Sequence, residues 1–298
     1  SNLLDRTDLS NINLAGIDLS NMNFEGRNLS DTILTGADLT DTTLTGADLS
    51  NKDLTGTILK NVDMSGMDLT GTILADTDLT DSILPDAVLS GNNFVNTIFD
   101  GVDFSGKNLS RSHFQYASFD NANLENTNLS SAQFIQVDFT KIKNKNLAAA
   151  DLSNTSLAHS NLSGVNLDNI IVKETSFWKA DLSGQDFTVI SNASSYGSRF
   201  FEANLSNTNF EGVDFAPKEI ITNVFKNKAP LINSNSADLI VNLLGEFDTV
   251  SIISKEVSGN DLVLTFVNFN NFAHANLENA NLKDANFAFV NFWSADLT

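Results

Sequence analysis

Hydrophobic residues follow a period of five along the first half of the chain. Leu, Phe or Met occupies every fifth position from Leu4 to Phe139, which makes 28 consecutive repeats without a slip. Neither the period of a helix, about 3.6 residues, nor the two-residue alternation of a strand produces this pattern. The period therefore predicts a chain that turns a corner every five residues.

The residues around each hydrophobic position, here called position i, indicate how the chain turns. Position i+2 is Gly, Asn or Asp in 22 of the 28 repeats, and position i+1 is largely Ser or Thr. A type II turn needs a positive φ at its third residue, which Gly adopts freely and Asn or Asp tolerates. Four such corners, at five residues each, return the chain to its start after 20 residues.

The same repeat predicts which side chains are buried. Side chains alternate along each short extended piece, so positions i and i−2 point inward and position i−1 points outward. Position i−1 is Asp or Asn in 17 of the 28 repeats. Successive coils are expected to stack as parallel strands about 4.8 Å apart. The sequence thus predicts an all-β, four-sided solenoid, right-handed by the usual crossover preference.

Individual repeats also carry a recognisable motif. Ala37-Asp38-Leu39 and Ala47-Asp48-Leu49 begin repeats of the form A(D/N)LXX, and 47 repeats cover 235 of the 298 residues. The chain resembles the pentapeptide-repeat family on this motif. The resemblance implies a right-handed quadrilateral β-helix, and it implies no catalytic activity. Some members of that family resemble B-DNA in size and charge and inhibit or protect type II topoisomerases.

The period breaks in three places, where we expect insertions at the corners of a single solenoid spanning residues 1–298. The breaks lie at about 140–145, 188–198 and 216–270. The last is long enough for a small α/β insertion near the C-terminus, with short helices at 219–228 and 236–247 and a hairpin of 249–257 and 261–269. Counting one coil from Phe200 to Phe215 places Phe187 and Phe215 on one face, so the last two insertions are expected to leave from the same corner.

Two features of the interior follow from the register. Phe94, Phe114 and Phe134 are spaced by 20 residues, so their rings are expected to stack on one face. Arg27 and Lys107 occupy inward positions, where an unpaired charge would be costly. We expect both to reach carbonyl oxygens or solvent.

The composition excludes several kinds of site. The chain has no Cys, which removes disulfides, thiolate catalysis and Cys-ligated metals, and its three His lie far apart in the repeat. A net charge of −20 argues against direct nucleic-acid binding, because phosphates require Lys and Arg. The chain has no run of 18 apolar residues, so we expect no membrane insertion. We expect no catalytic residue, no cofactor and no metal.

The outward acids form one candidate metal cluster. Asp76, Asp78 and Asp81 lie close in sequence, and carboxylate oxygens are the ligands that calcium prefers. The repeat itself, however, places Asp on the surface throughout, so a solvated face is the preferred interpretation. The lack of Cys mildly favours an extracytoplasmic location, and the sequence indicates nothing further about localisation.

A first candidate partner-binding site lies at the long insertion. Insertions in repeat proteins often cluster on the binding face. This insertion is rich in apolar residues that need a surface to be buried against. We expect a groove between the insertion and the solenoid wall, near Tyr196, Arg199 and Phe225.

A second candidate consists of outward positions that depart from Asp and Asn. Ile33 and Ile73 share one face two coils apart, and Ile58 and Ile98 share the next. One interpretation is simply that β-branched residues suit strands, even exposed ones. The other is a patch that binds a protein partner, because clustered exposed aliphatic residues mark interaction sites.

These features predict a non-catalytic structural or protein–protein interaction module, a rigid acidic solenoid that presents a decorated edge to a protein partner of unknown identity. Because the repeat runs to Leu297, end-to-end self-association is a further expectation. The alternative is a DNA-mimicking modulator of a type II topoisomerase. Residues 1–140 carry 20 acids and six bases. That is one net charge per roughly 2.4 Å, against about 1.7 Å in duplex DNA.

Overall fold

The computed structural model describes residues 8–85, 89–189, 198–211, 213, 220–225, 250–258, 261–268, 272–283, 285 and 292–298. The five-residue positions fill the interior, as the repeat predicts. Leu19, Leu49 and Leu79 are fully buried, and the small residues at i−2, such as Ala37 and Thr57, lie beside them. The core therefore runs as one continuous column along the axis.

The corners have the geometry that the sequence predicts. The N–H of Ala37 donates to the carbonyl of Leu34 at 2.9 Å, which closes a four-residue turn. Between them lies Gly36, with a φ of 68°, and the corresponding corner residues Asp41 and Asn61 have φ values of 57° and 56°. The preference for Gly, Asn and Asp at i+2 thus reflects a backbone that is left-handed at that residue.

Successive coils pair in parallel through their outward residues. Asp38 pairs with Ile58 and Ile58 with Asp78, 20 residues apart in each case. The offset becomes 23 at Asn128 and Asp151, because two short 3-10 turns, Phe139–Lys141 and Lys143–Lys145, take up the first insertion. The ladder continues beyond them at the usual offset of 20.

Four faces can now be defined by the buried residue that opens each in the first described coil. Face 1 begins with Leu9, face 2 with Leu14, face 3 with Leu19 and face 4 with Phe24. Each face continues through the residues that stack on its first member, coil after coil.

The second break departs from the expected register. Phe187 stacks on Phe210, with ring centroids 4.6 Å apart, and the neighbouring Asp186 pairs with Asn209. Phe187 therefore shares its face with Phe210, and the count that placed it one coil before Phe215 is wrong. Both breaks nevertheless lie between face 4 and face 2, from Phe187 to Phe200 and from Phe210 to Phe272, so a common corner for the two insertions stays a prediction. The spacing of 13 from Phe187 to Phe200 contains two repeats and three extra residues, rather than one repeat and eight.

The third break leaves the solenoid ladder intact. Asn204 pairs with Asn276 and Asn209 with Asn281, although 72 residues separate each pair. Phe200 also stacks on Phe272, with centroids 4.5 Å apart. The coils before and after the insertion are thus in direct contact.

The described part of this insertion is a three-stranded antiparallel sheet of order β1-β3-β2. Its strands are β1 (Ile220–Phe225), β2 (Val250–Ser258) and β3 (Asp261–Asn268). The prediction of a helix at 219–228 is therefore wrong. The segment is rich in β-branched residues, which favour strands, and it pairs in register with β3, from Ile220 with Val267 to Phe225 with Leu262. Strands β2 and β3 pair antiparallel where the hairpin was expected. The helix expected at 236–247 lies outside the described residues.

The aromatic core stacks as the spacing predicts. Phe94 lies 5.2 Å from Phe114, and Phe114 lies 4.7 Å from Phe134, with nearly parallel rings.

The two charged residues at inward positions, Arg27 and Lys107, avoid full burial of an unpaired charge. Arg27 Nε donates to the carbonyl of Asn23 at 2.9 Å, and Lys107 is only half-buried.

The outward acids make a hydrogen bond that the repeat pattern did not predict. Where the i−1 residue is Asp or Asn, its Oδ1 accepts the backbone N–H of residue i+1, as Asp48 does from Ser50 at 2.9 Å and Asp68 from Thr70 at 2.8 Å. The hydroxyl and the N–H of Ser50 lower the pKa of Asp48, and those of Thr70 lower the pKa of Asp68. Exposed carboxylates therefore help to hold the corner and remain ionised.

Substitution of corner glycines is expected to separate backbone strain from steric collision. Gly91 and Gly101 both have a φ of 75°, but a Cβ at Gly91 would meet nothing within 4 Å, whereas a Cβ at Gly101 would collide with the carboxylate of Asp81. Gly91→Ala should cost about 1 kcal/mol through left-handed strain alone, and Gly101→Ala about 2 kcal/mol. Equal shifts of the urea midpoints would contradict this placement of Asp81.

Stability is expected to fall in acid. Because the pKa values of Asp48, Asp68 and the similarly bonded Asp63 are lowered in the folded state, the folded chain binds fewer protons than the unfolded chain near pH 4. This stabilisation is present above about pH 4 and is lost as the pH falls through the folded values. Urea midpoints measured from about pH 6 to about pH 3 should therefore decrease. An increase on acidification would mean that relief of charge repulsion dominates instead.

Candidate interaction surfaces

The four outward isoleucines lie in two rows on neighbouring faces. On face 2, Ile33 and Ile73 are 49% and 46% exposed. On face 3, Ile58 and Ile98 are half-buried and are separated by Asp78, with which both pair. The aliphatic residues therefore alternate with an acidic residue and do not form one continuous apolar strip.

The acid between the isoleucines of face 3 is neutralised by a nearby base. Lys60 Nζ lies 2.9 Å from a carboxylate oxygen of Asp78. Burial alone would raise the pKa of Asp78, but hydrogen bonds from Thr80 and Lys60 outweigh it and lower the pKa. The bond to Asp78 in turn raises the pKa of Lys60. The pair removes a net charge from the space between Ile58 and Ile98.

A shallow cavity of about 540 Å³ lies beside Ile33 at the corner between faces 1 and 2. Its lining includes Lys52, Asp48 and Asp53 together with the exposed side of Ile33. Apolar, cationic and anionic groups thus meet within one depression. Such a mixture suits the side chains of a protein surface better than a uniformly charged ligand.

Of the three residues predicted to lie at the groove near the insertion, the structure describes two. Arg199 lies on face 2, where it pairs with Ser176, and its buried Nε has no hydrogen-bond partner among the residues that the structure describes. Phe225 is the last residue of β1. Tyr196 lies outside the described residues, so the groove between the insertion and the wall stays a prediction.

A further surface, missed in the sequence, lies at the corner between faces 2 and 3. We call it the aromatic corner; it occupies positions i+1 and i+2 after face 2 and comprises His159, Trp178, Lys179, Phe201, Glu202, His274 and Trp293. Trp178 is 43% exposed and Trp293 is 69% exposed. The signal was present in the sequence, because both tryptophans of the chain follow a Phe of face 2 directly.

The rings of the aromatic corner meet edge to face from coil to coil. The centroids of His159 and Trp178 are 5.1 Å apart. The ring of His274 lies between Phe201, at 5.3 Å, and Trp293, at 4.7 Å. Edge-to-face contacts of this kind fix the orientations of the rings relative to one another.

Clustered metal ligands and membrane-spanning helices are both absent from the described part of the chain. Within it, His, Cys, Asp and Glu side chains form no group of three or more that could hold a metal ion. Nor does that part contain a helix long and apolar enough to cross a bilayer.

Comparison with protein families gives one match over most of the chain. The model described as pentapeptide repeats matches in eight copies, over residues 4–41, 37–76, 72–106, 108–143, 146–169, 180–216 and 271–298. The matched ranges omit most of the insertion that contains β1, β2 and β3. No curated protein matches the chain significantly.

Several solved structures of low sequence identity are similar to the chain. HetL, a pentapeptide repeat protein involved in heterocyst differentiation regulation in the cyanobacterium Nostoc sp. strain PCC 7120, is 23% identical; the match covers 94% of this chain and 89% of HetL, with a TM-score of 0.38. QnrB1, a plasmid-mediated fluoroquinolone resistance protein, is 21% identical over 63% of this chain and 80% of its own, with a TM-score of 0.25. Rfr23 from the cyanobacterium Cyanothece 51142 is 23% identical over 42% of this chain and 86% of its own, with a TM-score of 0.19. With its repeats matched from residue 4 to residue 298, the chain belongs to the pentapeptide-repeat family of β-helical solenoids.

Proposed function

We propose that the protein is a non-catalytic interaction module in which the solenoid holds the long insertion at one edge for a protein partner. The observation that carries this proposal is the direct pairing of Asn204 with Asn276 and of Asn209 with Asn281 across the insertion. Since the ladder does not need the intervening residues, they are free to serve another purpose. Residues near the junction, including Tyr196, Arg199 and Phe225, are the proposed contact site.

The sheet of the insertion supports this function through its edges. In the order β1-β3-β2, the described partners of β1 and β2 lie on one side only. An exposed strand edge presents backbone N–H and C=O groups that a partner strand can pair with. Arg199, itself part of the proposed contact site, has a buried guanidinium Nε without a hydrogen-bond partner among the described residues. A carboxylate from a binding partner would satisfy it.

The isoleucine rows provide a second, independent contact surface for the same function. Ile33 and Ile73 expose nearly half of their side chains on face 2, beside the cavity that contains Lys52. A partner that covered both rows would bury aliphatic surface at intervals of two coils, about 9.6 Å.

Removing the insertion is expected to abolish partner binding and to leave the solenoid folded. Residues 217–268 would be replaced by a short Gly-Ser loop, and the far-ultraviolet circular dichroism and urea midpoint would be compared with those of the full chain. The stack of Phe200 on Phe272 and the ladder beside it are retained in this variant. The matched control is Ile83→Ser, which keeps the insertion and changes an exposed residue of face 4 outside both proposed contact surfaces. Unchanged retention of the native partner by the shortened chain would contradict the proposed site.

A second candidate function, modulation of a type II topoisomerase by DNA mimicry, is favoured by the charge of the first seven coils. Residues 1–140 hold a net charge of −14 from 20 acids and six bases, whereas the remaining 158 residues hold −6. Hydrogen bonds to the corner residues lower the pKa values of Asp48, Asp63 and Asp68, which keeps these surface carboxylates charged. The charge is therefore both dense and fixed in position.

A gyrase supercoiling assay tests the second candidate directly. The full chain is expected to inhibit or protect the enzyme at about micromolar concentration, and Asp48→Asn/Asp63→Asn/Asp68→Asn is expected to be weaker. Asn retains the Oδ1 that accepts the corner N–H, so the substitutions remove charge and keep the turn. No effect of the full chain, or equal effects of both proteins, would remove DNA mimicry.

A further inference from the structure

The corner between faces 2 and 3 changes character along the solenoid. At position i+2 the early coils use residues that suit a left-handed backbone: Gly16, Gly36, Gly56, Asp76 and Asn96. The later coils keep the same backbone, with φ between 53° and 60°, but carry large side chains: Tyr116, Gln136, His159, Lys179, Glu202 and His274.

This change costs backbone strain that glycine would avoid. Left-handed φ values are unfavourable for residues with a Cβ, and Tyr, Gln, Lys and Glu lack the short polar side chain that helps Asn and Asp. Strained backbone of this kind persists where the side chain that it displays has a use. Arg111 and Glu174 have the same left-handed backbone at another corner, so strain alone does not single out this one. The exposed Tyr and Trp residues of the described chain do single it out, because Tyr116, Trp178 and Trp293 all lie at the corner between faces 2 and 3.

The aromatic corner is also electrically neutral within a strongly acidic protein. Lys179 Nζ lies 3.1 Å from a carboxylate oxygen of Glu202, and the same ammonium lies 5.3 Å from the ring centroid of Trp178. The remaining members, His159, Phe201, His274 and Trp293, carry no charge when His is neutral. An occupant of this corner therefore gains little from its own charge and most from packing on rings.

We propose that the aromatic corner binds a proline-rich segment of another polypeptide, in the polyproline II conformation, lying along the solenoid axis. This surface is distinct from the insertion and from the isoleucine rows, so the proposal goes beyond the function proposed above. The occupant is a separate chain, because this one has only three prolines, at positions 85, 217 and 230.

The repeat distances of the two partners match. A polyproline II helix presents the same face every three residues, or about 9.3 Å at 3.1 Å per residue. Two coils of the solenoid advance about 9.6 Å. Phe201 and Trp293 are two coils apart, since Phe200 stacks on Phe272 and Phe272 on Phe292. An α-helix repeats about every 5.4 Å, and a strand presents the same face about every 6.7 Å. Neither distance matches the rise of one or two coils as closely as the polyproline II repeat does.

The chemistry of the corner suits this backbone. The carbonyls of a polyproline II helix make no internal hydrogen bonds and remain available as acceptors. The side chain of Trp178 is exposed, so its indole N–H can reach an acceptor on a bound segment. Proline rings pack on aromatic faces in grooves that recognise such segments, while an indole N–H donates to the backbone carbonyl.

The chain provides its own reporter for the test, because both of its tryptophans belong to the aromatic corner. The full chain would be titrated with decaproline while the tryptophan emission is recorded, and a Gly-Ser peptide of equal length would serve as the control ligand. We expect a saturable change in emission with decaproline at concentrations below about 1 mM, and none with the Gly-Ser peptide.

Variants identify the surface that produces the signal. Trp178→Ala, with Trp293 as the remaining reporter, is expected to weaken binding about tenfold or more, because buried tryptophans dominate interface energies. Ile83→Ala, which changes a residue 55% exposed on face 4, is the matched control and should bind as the unaltered chain does. Circular dichroism of each variant establishes that it is folded.

Five outcomes would overturn the proposal. One is no saturable response to decaproline up to about 1 mM. Another is an equal response to the Gly-Ser peptide, or equal affinity of Trp178→Ala and the unaltered chain. A response to a soluble neutral glucan in place of decaproline would assign the corner to carbohydrate. Emission that changes with protein concentration alone would assign it to a contact between copies of this chain.

Discussion

The left-handed residue that closes each corner is the constraint on which the rest of the structure depends. It places the N–H of residue i+3 on the carbonyl of residue i, as for Ala37 and Leu34, and so turns the chain after every five residues. Because the turn length is fixed, the same five positions recur on every face, and the coils stack in register. Burial of the Leu and Phe side chains then follows from the corner geometry, since each i position faces the axis. The core stabilises the coils, but the corner determines their shape.

Contacts between coils explain why the solenoid tolerates insertions of very different size. Buried threonines bond back to the preceding coil, as Thr72 does to the carbonyl of Leu49 at 2.8 Å. In the later coils, stacked phenylalanine rings also join each coil to the next. Neither contact requires that the two coils be close in sequence, so three extra residues after Phe139 and more than 50 before Phe272 leave the ladder unbroken. The structure demands only that the chain return to the next face in register.

The five-residue period predicted the corners, the inward residues and the aromatic stacks, because each depends on local geometry that repeats. It could not settle the register across Phe187 and Phe200, since a gap of 13 fits two repeats and three residues as well as one repeat and eight. Only pairing with a neighbouring coil distinguishes the two. Strand β1 was mistaken for a helix for a related reason: its partner β3 lies some 40 residues later, outside any local pattern. The sequence pattern indicated the isoleucines because they replace Asp or Asn at position i−1. It did not indicate the aromatic corner, because its residues stand at positions i+1 and i+2.

The corner between faces 2 and 3 carries different kinds of residue in the two halves of the solenoid. In the early coils Gly, Asn and Asp occupy the left-handed position without strain, and ionised carboxylates beside it accept backbone N–H groups, so charge and turn stabilise each other. In the later coils His159, Lys179 and Glu202 occupy that position at a conformational cost, and the net charge per residue is lower. The ladder of backbone hydrogen bonds is the same in both halves, so it does not explain why the residues at this corner differ. What changes at this corner is the surface shown to solvent, which carries small residues in the early coils and aromatic and larger polar residues in the later ones.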